Sequence, residues 1–205
     1  MMSKTSVIFD FETLSLDRFR CVISCVAGIQ FSEERYTSDD PYTFDELLDL
    51  CKFAKFDVGS QVKNYGRKID KSTLDWWRTQ PKAVQNMLIE PSDSDVPFEQ
   101  ILVFFKSLMP TPDSVTKVYT RGNTFDPIIV DGALEQLKGL ELYQHWKIRD
   151  TRSMIDGLAY GADIKNSFVI PGLENRFIAH DPRHDIAMDV LRMQYLVRLL
   201  NDLEV

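Results

Sequence analysis

The chain has 205 residues, 44% of them hydrophobic and 27% charged, which suits one compact α/β-sized domain over residues 1–205 with a substantial core. Its formal net charge of −7 excludes broad non-specific adhesion to nucleic acid, but not a nucleic-acid enzyme whose metal-binding acids are offset locally by cations. No signal peptide, long apolar span or lipidation motif is read, so no membrane role is expected.

Val7 to Glu12 reads as a buried strand, β-branched and aromatic, interrupted only by Asp10 and Glu12. Cys21 to Phe31 is a second apolar run and a partner strand. Cys21, Cys25 and Cys51 lack CxxC spacing, so they are expected to be free thiols of a reducing cytoplasm. Asp45 to Cys51 is weakly helical, and Lys52 to Val58 reads as a third strand. Ser72 is expected to cap a helix carrying Leu74, Trp76 and Trp77. A helical stretch from Pro81 to Ile89 and a Ser- and Asp-rich loop from Pro91 to Pro97 follow. Phe98 to Leu108 reads as a helix, Val115 to Tyr119 as a strand and Phe125 to Leu137 as a helix. From Asp185 onward, Ile186, Val190, Met193, Val197 and Leu200 mark an amphipathic closing helix. Strands first, then helices alternating with a strand, predict an α/β domain with a mixed sheet.

Side chains alternate along a strand, so Asp10 and Glu12 project together, roughly 7 Å apart. Two carboxylates at the end of a core strand repel and lose solvation unless a cation joins them, and Mg²⁺ or Mn²⁺ suits oxygen ligands. The plain alternative is a pair of acids turned to water or to Arg and Lys. Asp126, in Gly122-Asn123-Thr124-Phe125-Asp126, stands where a strand gives way to a helix, at the sheet end that bears sites in α/β folds; taken alone, helix capping is the favoured explanation of it. In Ala179-His180-Asp181-Pro182-Arg183-His184-Asp185, His180 on the loop and Asp185 on the helix can reach one site. His184 with Asp189 repeats the spacing, but sets the histidine inside the helix.

Together, Asp10, Glu12, Asp126 and the His180/Asp185 pair resemble the DEDD 3′–5′ exonuclease superfamily in its histidine variant. The likeness spans the chain and includes Gly66-Arg67-Lys68-Ile69-Asp70, Thr73-Leu74-Asp75-Trp76-Trp77 and Arg149-Asp150-Thr151-Arg152. These are similar to the subgroup of tailed-phage exonuclease A and the mycobacterial exoribonuclease-like domains. The resemblance implies a ribonuclease H-like fold, a central mixed β-sheet flanked by α-helices. It implies two divalent cations held by Asp10, Glu12, Asp126 and Asp185, with His180 as general base and Glu12 helping to orient the attacking water. It also implies a single-stranded 3′ end of DNA or RNA as substrate, a homodimer among the expected states, and a phage-encoded protein in a bacterial host cytoplasm. Two departures stand out: Leu14-Ser15 follows Thr13 where many relatives place glycine, and Pro182, Arg183 and His184 fill the His-to-Asp interval.

Thr13 and Leu14 are expected at the terminal nucleotide, as in the family. Trp76 and Trp77 could stack on bases, although two adjacent tryptophans on a helix cannot share one face. Phe11 alternates away from the acids into the core. Asn123 could donate to phosphate or simply form its turn. Arg149 and Arg152 could bind phosphate, with a structural role expected for at least one. A haloacid-dehalogenase-type phosphatase also ends its first strand in paired acids, but needs Asp at the position of Glu12. A silent nucleic-acid-binding domain of the same fold would normally lack one of the acids.

Overall fold

The computed structural model describes residues 5–205, built around a five-stranded sheet of order β3-β2-β1-β4-β5. β1 (Thr5–Thr13) lies at its centre, antiparallel to β2 (Ile23–Ser32) and parallel to β4 (Lys117–Thr120). β3 (Lys52–Lys55) extends the sheet beside β2, and β5 (Ile148–Asp150) runs parallel to β4. The sheet is therefore mixed, as expected from the order of elements.

The alternation of β1 decides the layers. Val7, Phe9 and Phe11 pack with α5 (Gln100–Leu108) and α6 (Asp126–Leu137), chiefly through Phe105 and Ile129. Ile8 faces the other way, into a layer built by α1 (Phe44–Leu50), α7 (Thr151–Leu158) and α8 (Pro182–Leu200). Asp10 and Glu12 share the parity of Ile8 and so face the layer that contains α8. A third cluster, Leu14, Val22, Cys25, Trp77, Val84 and Leu88, lies beneath α3 (Lys71–Trp77) and α4 (Lys82–Leu88). The three cysteines are free thiols. Among the described residues no helix is long and apolar enough to cross a membrane.

Two sequence expectations need correction, and two elements had none. The strand after Lys52 ends at Lys55, because Asp57 accepts a hydrogen bond from the Ser60 amide and opens α2 (Val58–Tyr65). Ser72 is not a cap: α3 begins at Lys71 after Asp70, whose carboxylate instead accepts from Ser15 Oγ (2.7 Å) and the Leu16 amide (3.1 Å). β5 and α7 had no sequence forecast, since three residues are too few to display a strand period.

Candidate active site

β1 and β4 are neighbours running in the same direction, yet the chain leaves them toward opposite edges of the sheet. Their carboxyl ends therefore border a crevice, the usual location of a site in an open α/β sheet. β1 delivers Asp10 and Glu12 there. Its pairing with β4 stops at Ile8 and Tyr119, which leaves the Phe11 amide without a ladder partner on that side. Asp126, in the first turn of α6, accepts that amide through Oδ1 at 3.3 Å. One hydrogen bond thus fixes the start of α6 between the two acids of β1.

Asp185 comes from the first turn of α8. Its Oδ2 accepts from the backbone amide of His180 at 3.1 Å, folding the preceding loop back over the helix start. His180 adopts a left-handed backbone conformation, φ 64°. Glu12, His180 and Asp185 offer ligand atoms that all lie within 4.8 Å of one another. Asp10, Glu12, Asp126, His180 and Asp185 line one cavity of about 430 Å³, with Arg121 and Arg152 on its wall.

Among the described residues none of the four carboxylates is in a salt bridge, although Arg152 near Asp126 and Arg192 and Arg121 near Asp185 act on them from further off. Burial pushes Asp10 and Glu12 well above the ordinary carboxylate range, and the neighbouring acids push both further. Burial likewise raises Asp126 to about 7, against the lowering effect of the Phe11 amide. Asp185 also rises to about 7, first by burial and then by Asp189. The ion pairs nearby go to other acids: Arg121 and Arg192 to Asp189, and Arg183 to Asp181. Hard oxygen donors crowded in this way, with a histidine beside them, fit divalent cations.

The two histidines occupy different surroundings. His180 lies edge-on to Trp76, ring centroids 4.9 Å apart, and burial lowers its pKa below 6.5. His184 is on α8, where its Nδ1 accepts from the Ile178 amide at 3.2 Å and its ring meets the edge of Phe44. Asp189, its partner in the alternative register, is buried and accepts from Arg121 (2.5 Å), Thr151 (2.5 Å) and Arg192 (2.7 Å).

Beside the acids opens a second compartment of about 440 Å³, mainly apolar, lined by Phe11, Thr13, Leu16, Thr73, Trp76 and Phe125 among others. Glu12 and Leu16 belong to both compartments. Trp76 is 42% exposed here, whereas Trp77 is buried and donates its Nε1–H to the Thr13 carbonyl at 2.9 Å. Leu14 is a core residue rather than a substrate contact, packed with Trp77 and Leu88. The loop held by Asp70 turns Leu16 outward in its place. Phe11 packs in the core as expected, while also reaching the groove. Asn123 is exposed, accepts from Thr120 Oγ1 at 3.2 Å, and is not among the cavity-lining residues. Arg149 donates to the carbonyls of Trp146 and Ile148, so of the two arginines Arg152 alone borders the acids. Leu16, Phe125 and Arg121 carried no sequence signal, for their place depends on loop paths that have no period.

The model of the 3′–5′ exoribonuclease Rv2179c-like domain matches residues 5–185. The exodeoxyribonuclease of Enterobacteria phage T4 is 33% identical over 214 residues, taking in 96% of this chain and 91% of its own. Among solved structures, the zinc-bound complex of Escherichia coli exonuclease I with single-stranded DNA aligns with TM-score 0.57 and 14% identity, over 98% of this chain. Exonuclease I of Methylocaldum szegediense aligns with TM-score 0.52 and 14% identity over 97% of the chain. The chain spans only 41% and 40% of those two proteins, and the likeness to them speaks for the ribonuclease H-like fold. With the family match reaching from β1 to Asp185 and so taking in all four acids, this chain belongs to the Rv2179c-like 3′–5′ exoribonuclease domain family.

Proposed function

We propose that this 3′–5′ exonuclease, working as one unit over residues 1–205, hydrolyses the terminal phosphodiester bond of a single-stranded 3′ end and releases nucleoside 5′-monophosphates. The observation that carries the reading is the convergence of four carboxylates from three elements in one cavity, with no Lys or Arg salt-bridged to them among the described residues. Asp10, Glu12, Asp126 and Asp185 would hold two divalent cations, Mg²⁺ or Mn²⁺. Bound there, the ions supply a more acidic attacking water and charge stabilisation for the leaving 3′ oxygen.

The remaining steps belong to the chain's own side chains. His180 has its pKa lowered by burial, so its imidazole is neutral near pH 7 and free to take a proton from water. Its left-handed backbone and the Asp185 bond to its amide hold it over the acids. Glu12 lies close enough to His180 to share in orienting that water. The terminal base would enter the apolar compartment and stack on Trp76, with Thr13 at its floor; such stacking contributes about 1–3 kcal/mol per base. Arg152 would attract the phosphate from the cavity wall.

Two other readings are weaker. A haloacid-dehalogenase-type phosphatase requires a second aspartate two residues after Asp10, and Glu12 stands there. A silent binding domain would have no need to keep four crowded, uncompensated acids. The test is release of mononucleotides from the 3′ end of a labelled single strand in Mg²⁺ or Mn²⁺. Asp10→Ala should abolish it; full activity in that variant or in excess chelator would refute the reading. Matched DNA and RNA oligomers in the same assay decide the sugar preference.

A further inference from the structure

The loop joining β1 to β2, residues 14–22, is more firmly anchored than its exposure requires. Ser15 and the Leu16 amide bind Asp70, and the Asp17 carbonyl accepts from the amides of Arg20 and Cys21. Asp17 also pairs with Lys68 at 2.8 Å. The Arg18 guanidinium donates to the Thr124 carbonyl at 2.9 Å. The backbone at Phe19 lies directly on α6: a Cβ on Gly132 would come 2.5 Å from the Phe19 carbonyl oxygen, so only glycine admits the loop there.

This fixed loop holds its apolar side chains outward. Phe19 is 54% exposed and Leu16 is 72% exposed, and no ring of the protein stacks on Phe19 among the described residues. Arg18 and Arg20, both exposed, flank Phe19 in the chain, and neither forms a salt bridge among the described residues. Behind them Lys68 is paired with Asp17, and Asp70 is taken up by Ser15 and the Leu16 amide, so the exposed guanidinium groups of Arg18 and Arg20 give this face positive charge in a chain of net charge −7. The surface is continuous with the acidic cavity, since Leu16 and Thr124 line both its edge and the cavity wall. An exposed aromatic residue between two arginines that are not ion-paired among the described residues, on an anchored loop at the mouth of a nuclease cleft, suits a chain of stacked bases and phosphates. It suits no apolar partner, which would leave the arginines desolvated.

We propose that Phe19, flanked by Arg18 and Arg20, is the surface over which the single strand upstream of the scissile bond runs. The proposal rests on the nuclease reading above, and two substrates separate their failures. The 4-nitrophenyl ester of thymidine 5′-monophosphate offers the terminal nucleotide with no upstream strand, whereas a single-stranded 20-mer oligodeoxynucleotide offers both. For Phe19→Ala combined with Arg20→Ala, KM for the 20-mer should rise about tenfold or more, from the loss of one stacking contact and one phosphate contact. Hydrolysis of the nitrophenyl ester should stay within about twofold, which also shows that the variant is folded. The dependence of KM on salt should become shallower in the Arg20→Ala variant. An unchanged KM for the 20-mer, or an equal loss on both substrates, would overturn the assignment, as would a loss confined to blunt duplex ends. Should an RNA 20-mer of the same sequence be the better substrate, the same KM comparison is read on it; a wild-type protein inert toward the ester and both 20-mers in Mg²⁺ and Mn²⁺ would instead refute the nuclease reading itself.

Discussion

His180 holds a backbone conformation, φ 64°, that disfavours any residue with a Cβ, and strain of this kind costs on the order of 1–3 kcal/mol. What over-determines it is the Asp185 carboxylate on its amide and Trp76 against its ring. His184 is tied into the fold instead, through the Ile178 amide and Phe44. The two should therefore separate cleanly on substitution. His180→Ala should lower kcat by roughly 10²–10⁴-fold while leaving cation binding nearly intact. His184→Ala should lower the melting temperature and leave most of the turnover. Steady-state kinetics and thermal melts of both variants check this, and the reverse ranking would make His184 the base and refute the role given to His180. The sequence offered both registers, since each histidine precedes an aspartate by five residues. The sequence favoured the first because the second sets its histidine inside the helix, and packing supports that choice, since Asp189 is consumed by Arg121, Arg192 and Thr151.

At the scale of elements, α3 shows what periodicity can and cannot convey. Adjacent tryptophans point to different faces of any helix, so one had to be core; choosing between them required the third hydrophobic cluster, which claims Trp77. Trp77→Ala should cost about 3–5 kcal/mol of stability, as for other large buried aromatics, and be seen as a lower denaturation midpoint. Trp76→Ala should leave that midpoint almost unmoved and raise KM for oligonucleotides. Equal effects of both substitutions on stability would deny Trp76 its free face. The long strand β1 and the closing helix α8 were legible because their patterns run over many residues. α2, β5 and α7 were not, being short elements set by local caps such as Asp57 and Asp150. The structural role of Asp189 was hidden for a different reason. A mid-helix aspartate usually faces water, and nothing in the sequence joins it to Arg121, 68 positions away. Removing it by Asp189→Ala would strand two arginines, one of them buried. The loss should reach about 3–5 kcal/mol in chemical denaturation, and a near-neutral result would mean that water reaches the arginines.

At the scale of the whole molecule, four acids that resist ionisation make stability depend on pH and on cations together. Each binds its proton more tightly when folded than when unfolded, with Asp126 and Asp185 raised to about 7 and Asp10 and Glu12 well above their ordinary range. A raised carboxyl contributes most while it is protonated in the fold, and that contribution fades as pH climbs through the folded-state value. The lowered histidines act in the opposite sense, because the unfolded chain then holds more protons. Their influence is already declining at 6.5, where an unfolded imidazole is half protonated, and is spent about one pH unit higher. The exposed acids with lowered values, Asp17, Glu46, Asp75 and Glu99, have finished titrating well below that point. Between about pH 6.5 and 8 the site acids therefore dominate. In chelator the melting temperature should fall across this interval. Mg²⁺ or Mn²⁺ should raise it, by more at pH 8 than at pH 6.5, since protons and cations compete for the same oxygens. Replacing Asp126 with Asn should raise the melting temperature in chelator and reduce the rise that cations produce. A chelator curve flat over the interval, or a cation effect independent of pH, would mean that the four carboxylates are not crowded together in solution.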